Sequence, residues 1–297
     1  MSSTPSSSQD LGPTNEVRLD QGVIRYRDTG QGRPMVFVHG LLVNGDLWRK
    51  VVPELSGQFR CIVPDLPLGS HPVALEPEAD LSPYGLAKLI ADFIAALNLE
   101  DVTLVGNDTG GALCQMVVTR HPERISGLVL TPCDAYENFP PRFFNYLLWA
   151  ARVPGGLFAL LQPTRLKAVR HSPIGYGWLA KRLDANVTAR WSRPALADRG
   201  VRRDLEKALK GLDKKYTLET AERLREFHRP VLIAWASEKQ FFKWEHAQRL
   251  AQTFPDARLE QIEDSYTFVS EDQPERLAEL IQRFMDETAR SGERTAA

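Results

Sequence analysis

The tightest constraint on how this chain folds lies at residues 102–122. The apolar run Val102-Thr103-Leu104-Val105 passes without a spacer into Gly106-Asn107-Asp108-Thr109-Gly110-Gly111, and a helical pattern carrying Leu113, Met116 and Val117 follows as far as His121-Pro122. A continuous apolar run of this length reads as a strand buried on both faces, and the proline stops the helix. A turn this abrupt needs the positions two before and two after its apex to be almost free of side chain, which Gly106 and Gly110 supply. Asp108 at the apex meets the positive end of the helix dipole, which favours a carboxylate. An aspartate that merely caps a helix after a glycine turn has the same local sequence, so the surrounding pattern has to decide between the two.

That pattern is strand and helix in alternation. The apolar runs 35–38, 61–63, 102–105 and 128–130 are separated by helical stretches, which predicts a buried parallel sheet. Ser82 followed by Pro83 opens a helix whose apolar stripe is Leu86, Leu89, Ile90, Phe93, Ile94 and Leu97. Upstream, the alternating segments 17–19 and 23–28 around Asp20-Gln21-Gly22 read as a β-hairpin, preceded by a disordered tail over 1–15. Over 135–225 the strands vanish, and short helices rich in aromatics and arginine take their place. Strand patterns return at 230–236 and 258–262, and an amphipathic helix at 277–284 closes the chain. The organisation expected is a core of 16–134 and 226–287, a helical cap at 135–225 and a flexible C-terminus from 288.

The 297 residues include 37 Lys and Arg against 38 Asp and Glu, a net charge of -1 that gives no reason to expect nucleic acid or a membrane as partner. The Ser/Thr/Pro-rich start has neither a basic nor an apolar signal region, so the expectation is a cytoplasmic protein. Cys61, Cys114 and Cys133 are odd in number and set in apolar sequence, which fits packed reduced thiols better than disulfides or a metal site. Gly30-Gln31-Gly32 is a turn between strands and does not open a helix, so no cofactor is expected.

His39-Gly40-Leu41 after the strand 35–38, Asp65-Leu66-Pro67 after the next and the turn at Asp108 together resemble the α/β-hydrolase fold, in order and spacing, over 17–284. The resemblance implies a mostly parallel eight-stranded sheet flanked by helices, with a helical cap inserted after strand 6. An aspartate at the elbow is similar to the branch of haloalkane dehalogenases, fluoroacetate dehalogenases and epoxide hydrolases. There, a carboxylate attacks carbon and the resulting ester is cleaved by histidine-activated water. By that resemblance, the backbone N–H groups of Leu41 and Thr109 form the oxyanion hole and Asp134 matches an alternative acid position.

The chain departs from the family at both partners of the nucleophile. Thr267 stands at the histidine position, none of the six histidines lies beyond residue 246, and Lys239 stands where an aspartate is usual. His246 reads as an ordinary helix residue; His39 is by the resemblance mostly a structural hydrogen-bonding residue, with a role as substitute base as the alternative. Thr109 and Leu41 also replace the halide-binding Trp and Asn of dehalogenases, which disfavours haloalkane dehalogenation. Leu42 replaces the proline of epoxide hydrolases, although Tyr136, Tyr146 and Tyr176 are candidate cap donors. Carboxylate attack needs no proton removal, whereas general-base help in the second step is worth on the order of a hundredfold to ten-thousandfold. Three readings stay open: a hydrolase of small apolar substrates with atypical turnover, Asp108 as the general base of a lyase or isomerase, or a pocket that only binds a ligand. The oligomeric state is left open.

Overall fold

The computed structural model describes residues 11–238 and 240–296. The chain opens with the expected hairpin, β1 (Thr14–Leu19) antiparallel to β2 (Gly22–Thr29). The strand starts earlier than the tail expected over 1–15 allows. Thr14 and Asn15 pair with Arg27 and Tyr26, and Leu11 is buried, so the long partner strand recruits residues whose own composition is polar. Residues 1–10 lie outside the described part.

There follow β3 (Pro34–Val38), α1 (Val52–Leu55), β4 (Arg60–Pro64), α2 (Pro83–Ala96), β5 (Val102–Asp108), α3 (Thr109–Arg120) and β6 (Ile125–Cys133). Six helices come next: α4 (Asn145–Arg152), α5 (Gly156–Leu161), α6 (Lys167–Arg170), α7 (Ala185–Ala197), α8 (Arg199–Gly211) and α9 (Lys214–Arg223). The chain closes with β7 (Val231–Ala236), α10 (Trp244–Thr253), β8 (Ala257–Ile262), α11 (Val269–Asp272) and α12 (Pro274–Ala296). The start of α2 follows from its sequence: Ser82 Oγ accepts the Gly85 N–H (3.1 Å) and Pro83 takes the first turn. Over the stretch from 288 that was expected to be flexible, α12 continues to Ala296. No proline interrupts 286–296, and Arg258 paired with Glu287 (2.8 Å) and Arg33 bonded to Thr288 (3.2 Å) pin the helix to the body.

The strands form one eight-stranded sheet in the order β1-β2-β4-β3-β5-β6-β7-β8, parallel from β4 onward and antiparallel at the β1 and β2 edge. Its two faces carry separate cores. Val36, Ile62 and Leu104 meet Phe93 of α2 and Val117 of α3 on one side, and Phe37, Val63 and Trp48 pack with Leu277 and Ile281 of α12 on the other. Each such side chain contributes roughly 1.5–3 kcal/mol of burial. This is the α/β-hydrolase architecture. Because β3, β5 and β6 run parallel, the loops after them converge on one edge, where Leu41, Asp108 and Asp134 all lie.

Candidate active site

Asp108 ends β5 and starts α3 in a left-handed conformation (φ 55°, ψ -134°), a strained geometry for a residue with a side chain. The turn closes because a Cβ at Gly110 would strike the carbonyl oxygens of Val38 and His39, and one at Gly106 would lie 2.7 Å from the Cα of Gly111. Gly40 is bare for a related reason, since the Asp108 carboxylate packs directly over it. The side chain makes no capping bond into α3. It accepts instead the backbone N–H groups of Thr109 and Leu41. A plain helix cap would engage N–H groups deeper in the first turn, so that reading of the sequence does not describe the geometry. Burial raises the Asp108 carboxyl to about 6, with the two N–H donors pulling the other way.

Asp134 follows β6 and is fully buried. Its N–H donates to the Asp108 carbonyl (3.4 Å), and its carbonyl accepts from Gln115 Nε2 (3.0 Å), which ties the loop to α3. Thr109 Oγ1 donates to Asp134 Oδ2 (3.2 Å), while Oδ1 is buried without a partner. Burial first, and then the negative charge of Asp108, hold the Asp134 carboxyl well above the usual carboxylate range. Of the two carboxyls, Asp134 is the one whose proton is held more firmly, by burial and by the neighbouring charge.

The structure corrects His39 as a substitute base. Leu66 N–H donates to Nε2 (2.8 Å), so Nδ1 carries the proton and gives it to the Gly40 carbonyl (2.8 Å). Both ring nitrogens are spent on backbone, and burial lowers the imidazole to about 4. The ring is a brace for the loop that carries Leu41. His246 sits on α10 facing Glu137 (3.9 Å), away from the elbow. Thr267 is buried, and its carbonyl accepts Asn107 Nδ2 (2.8 Å), which also donates to Thr131 Oγ1 (2.8 Å) and the Pro132 carbonyl (3.2 Å). Asn107 thus ties the loop after β8 to the strand end that presents Asp108. Sequence reading passed over this residue, whose only sign was an amide beside the turn's apex. Lys239 lies outside the described residues.

Asp108, Thr109 and Asp134 form the polar floor of a cavity of about 400 Å³ between the sheet edge and the inserted helices. Its walls are apolar, among them Leu41, Leu42, Phe144, Leu147, Leu161 and Leu209. Of the three tyrosines, Tyr136 is turned away to Thr253 Oγ1 (2.9 Å) and does not line the cavity. Tyr146 and Tyr176 do line it, but their hydroxyls donate to the carbonyls of Ile174 (3.1 Å) and Leu42 (2.7 Å). Their single protons are already committed, so neither is a free donor to a substrate oxygen. Arg170 is buried in the wall, held by the carbonyls of Thr164 and Arg165 (both 2.9 Å).

The buried Asp108 carboxylate at a sharp strand-to-helix turn, its two backbone donors and the apolar chamber lie together at one edge of an eight-stranded α/β sheet. Residues 33–274 match the alpha/beta hydrolase fold family, and the chain belongs to it. Curated relatives include an uncharacterized protein of Mycobacterium tuberculosis (28% identical, covering 93% of this chain and 82% of the relative). A cis-3-alkyl-4-alkyloxetan-2-one decarboxylase of Shewanella oneidensis is 26% identical (89% and 86%), and a haloalkane dehalogenase 2 of Mycobacterium tuberculosis is 25% identical (89% and 92%). Among solved structures, a haloalkane dehalogenase loop variant from Bradyrhizobium elkanii superposes with a TM-score of 0.78 at 18% identity, over 94% of this chain and 98% of the other.

Proposed function

We propose that this protein is a hydrolase that attacks a small to medium apolar electrophile through Asp108, forms an ester on that carboxylate and turns over atypically for want of an imidazole. The observation that carries the reading is the Asp108 carboxylate itself, turned to an apolar cavity and held by the N–H groups of Leu41 and Thr109 with no ordinary helix-cap bond. In the first step a carboxylate oxygen bonds to carbon and the bond to the leaving oxygen breaks. Asp134, whose proton burial and the Asp108 charge help to retain and whose Oδ1 is unpartnered, gives the leaving oxygen its proton, a task the committed hydroxyls of Tyr146 and Tyr176 leave open. In the second step the Asp134 carboxylate takes a proton from water, and the hydroxide adds to the Asp108 Cγ. The oxyanion rests on the Leu41 and Thr109 donors, each worth on the order of a hundredfold or more. Collapse expels the product alkoxide, which takes the proton held by Asp134; the hydroxyl proton left on the Asp108 carboxyl then passes to Asp134, and the starting pair is restored. No imidazole among the described residues assists the second step, so the ester accumulates.

The oxetanone decarboxylase relative favours a second reading, because it names a reaction that needs no water. Asp108 would open a β-lactone at the ring carbon bonded to oxygen. The freed carboxylate would then leave as carbon dioxide, its electron pair forming the alkene and expelling Asp108. Intact-mass measurement after incubation with styrene oxide, bromohexane and a dialkyl β-lactone tests both. An adduct that persists with the epoxide and is absent in Asp108→Asn supports the hydrolase; alkene without lasting adduct from the lactone supports the second reading. Turnover with no adduct that Asp108→Asn abolishes would assign base chemistry, and binding indifferent to Asp108→Asn would assign a ligand pocket.

A further inference from the structure

The near-neutral net charge conceals a strong asymmetry. Residues 135–225 carry 18 Lys and Arg against 8 Asp and Glu, while the rest of the chain carries 19 against 30. Within that insertion, residues 138–183 hold seven cations and no acid at all. A uniform spread would put about six acids there. The same stretch holds six of the seven most exposed large apolar side chains: Trp149 (75% exposed), Leu166 and Ile174 (64% each), Val153 (58%), and Phe158 and Trp178 (40% each).

Three of them, Trp149, Ile174 and Trp178, gather around Phe143 and Tyr146. Tyr146 bonds to the Ile174 carbonyl (3.1 Å), the Phe143 ring lies 5.4 Å from Trp178 and 6.0 Å from Tyr146, and Trp149 is one turn along α4 from Tyr146. Exposed Arg142 and Arg152 flank this stripe, exposed Arg165 and Lys167 flank Leu166, and none of the four has an ion-pair partner among the described residues. Lys181 and Arg182, at the end of the stretch, are instead paired to Asp264 of the body. Ile174, Phe144 and Tyr146 also line the cavity above Asp108, so the apolar face is continuous with the chamber wall.

We propose that the exposed, tryptophan-bearing side of this acid-free stretch docks on an anionic lipid surface, from which apolar substrate enters the cavity. Aromatic rings beside free arginines and lysines match the chemistry of a headgroup boundary, apolar below and anionic above. A second copy fits less well, because a two-fold contact through this face would set the same unpaired cations against one another. Docking is superficial: no described helix is long and apolar enough to cross a membrane. The expectation of no membrane partner rested on net charge, which here is the sum of two opposed halves. The proposal stands whether or not Asp108 forms an ester.

The test is sedimentation of the full chain with vesicles of phosphatidylcholine alone or with phosphatidylglycerol, alongside analytical ultracentrifugation without lipid. Binding to the phosphatidylglycerol vesicles, weak binding to the neutral ones and release by salt are expected. Trp149→Ser with Leu166→Ser, and separately Arg152→Glu with Lys167→Glu, should each lower the bound fraction at least about fivefold with melting unchanged. Failure of the wild type to bind anionic vesicles, or equal binding to both kinds, overturns the proposal. So does a lipid-free dimer that Trp149→Ser dissociates.

Discussion

Asp108 combines a left-handed backbone with a buried carboxylate, and both cost stability, the backbone alone on the order of 1–3 kcal/mol. Its carboxyl is raised in the folded state to about 6 from 3.8, so the protonated form is the one folding favours. The stabilisation is complete below about pH 4 and is lost as pH rises through about 6. Asp108→Asn, which removes the ionisation, should therefore raise the melting temperature at pH 8 by the equivalent of about 1–3 kcal/mol and change it little at pH 4. A variant equally or less stable at pH 8 would mean that the carboxylate is not desolvated as described. Glycine spacing around Asp108 was legible in the sequence because sterics alone demand it. The role of His39 was not: whether a ring nitrogen is free depends on which backbone groups reach it, here those of Leu66 and Gly40.

The elements that frame the site are a strand end, a helix start and two loops, and Asn107 fastens them by donating to Thr131, Pro132 and Thr267. The backbone at 267 is thus held next to the residue preceding Asp108. Thr267→His puts an imidazole on that backbone, at the position where the resemblance expects the catalytic histidine. Single-turnover decay of an epoxide-derived adduct should accelerate by at least about tenfold in that variant, within the range of general-base catalysis. Unchanged decay would show that side chains at 267 do not reach the ester. Strands and helices were legible from periodicity, since β5 and α3 fall where the apolar runs placed them. Their ends were not: β1 gains Thr14 and Asn15 by pairing with β2, and α12 runs on through contacts with Arg33 and Arg258.

At the scale of the whole molecule, the inserted helices are joined to the body through charge as well as apolar packing. Asp204 of α8, fully buried, accepts from the Leu75 N–H (2.7 Å) and meets His71 (3.2 Å) in the loop before α2. Removing one member of such a set leaves buried polar groups uncompensated, so Asp204→Ala should destabilise by about 3–5 kcal/mol in denaturant unfolding. A loss below about 1 kcal/mol would assign the junction to apolar contact alone. The insertion was legible as a break in strand pattern and a pocket beneath it was expected, whereas most of the residues that wall the chamber were not. That chamber is built from residues as distant as Leu41 and Leu209, a pairing no local pattern carries. The central claim, ester formation and hydrolysis at Asp108, is tested most directly by turnover of styrene oxide in heavy-oxygen water, followed by mass spectrometry of the peptide containing Asp108. The account predicts that the peptide acquires heavy oxygen in step with product, because water attacks the Asp108 carboxyl carbon. Product formation with that peptide unlabelled would contradict it.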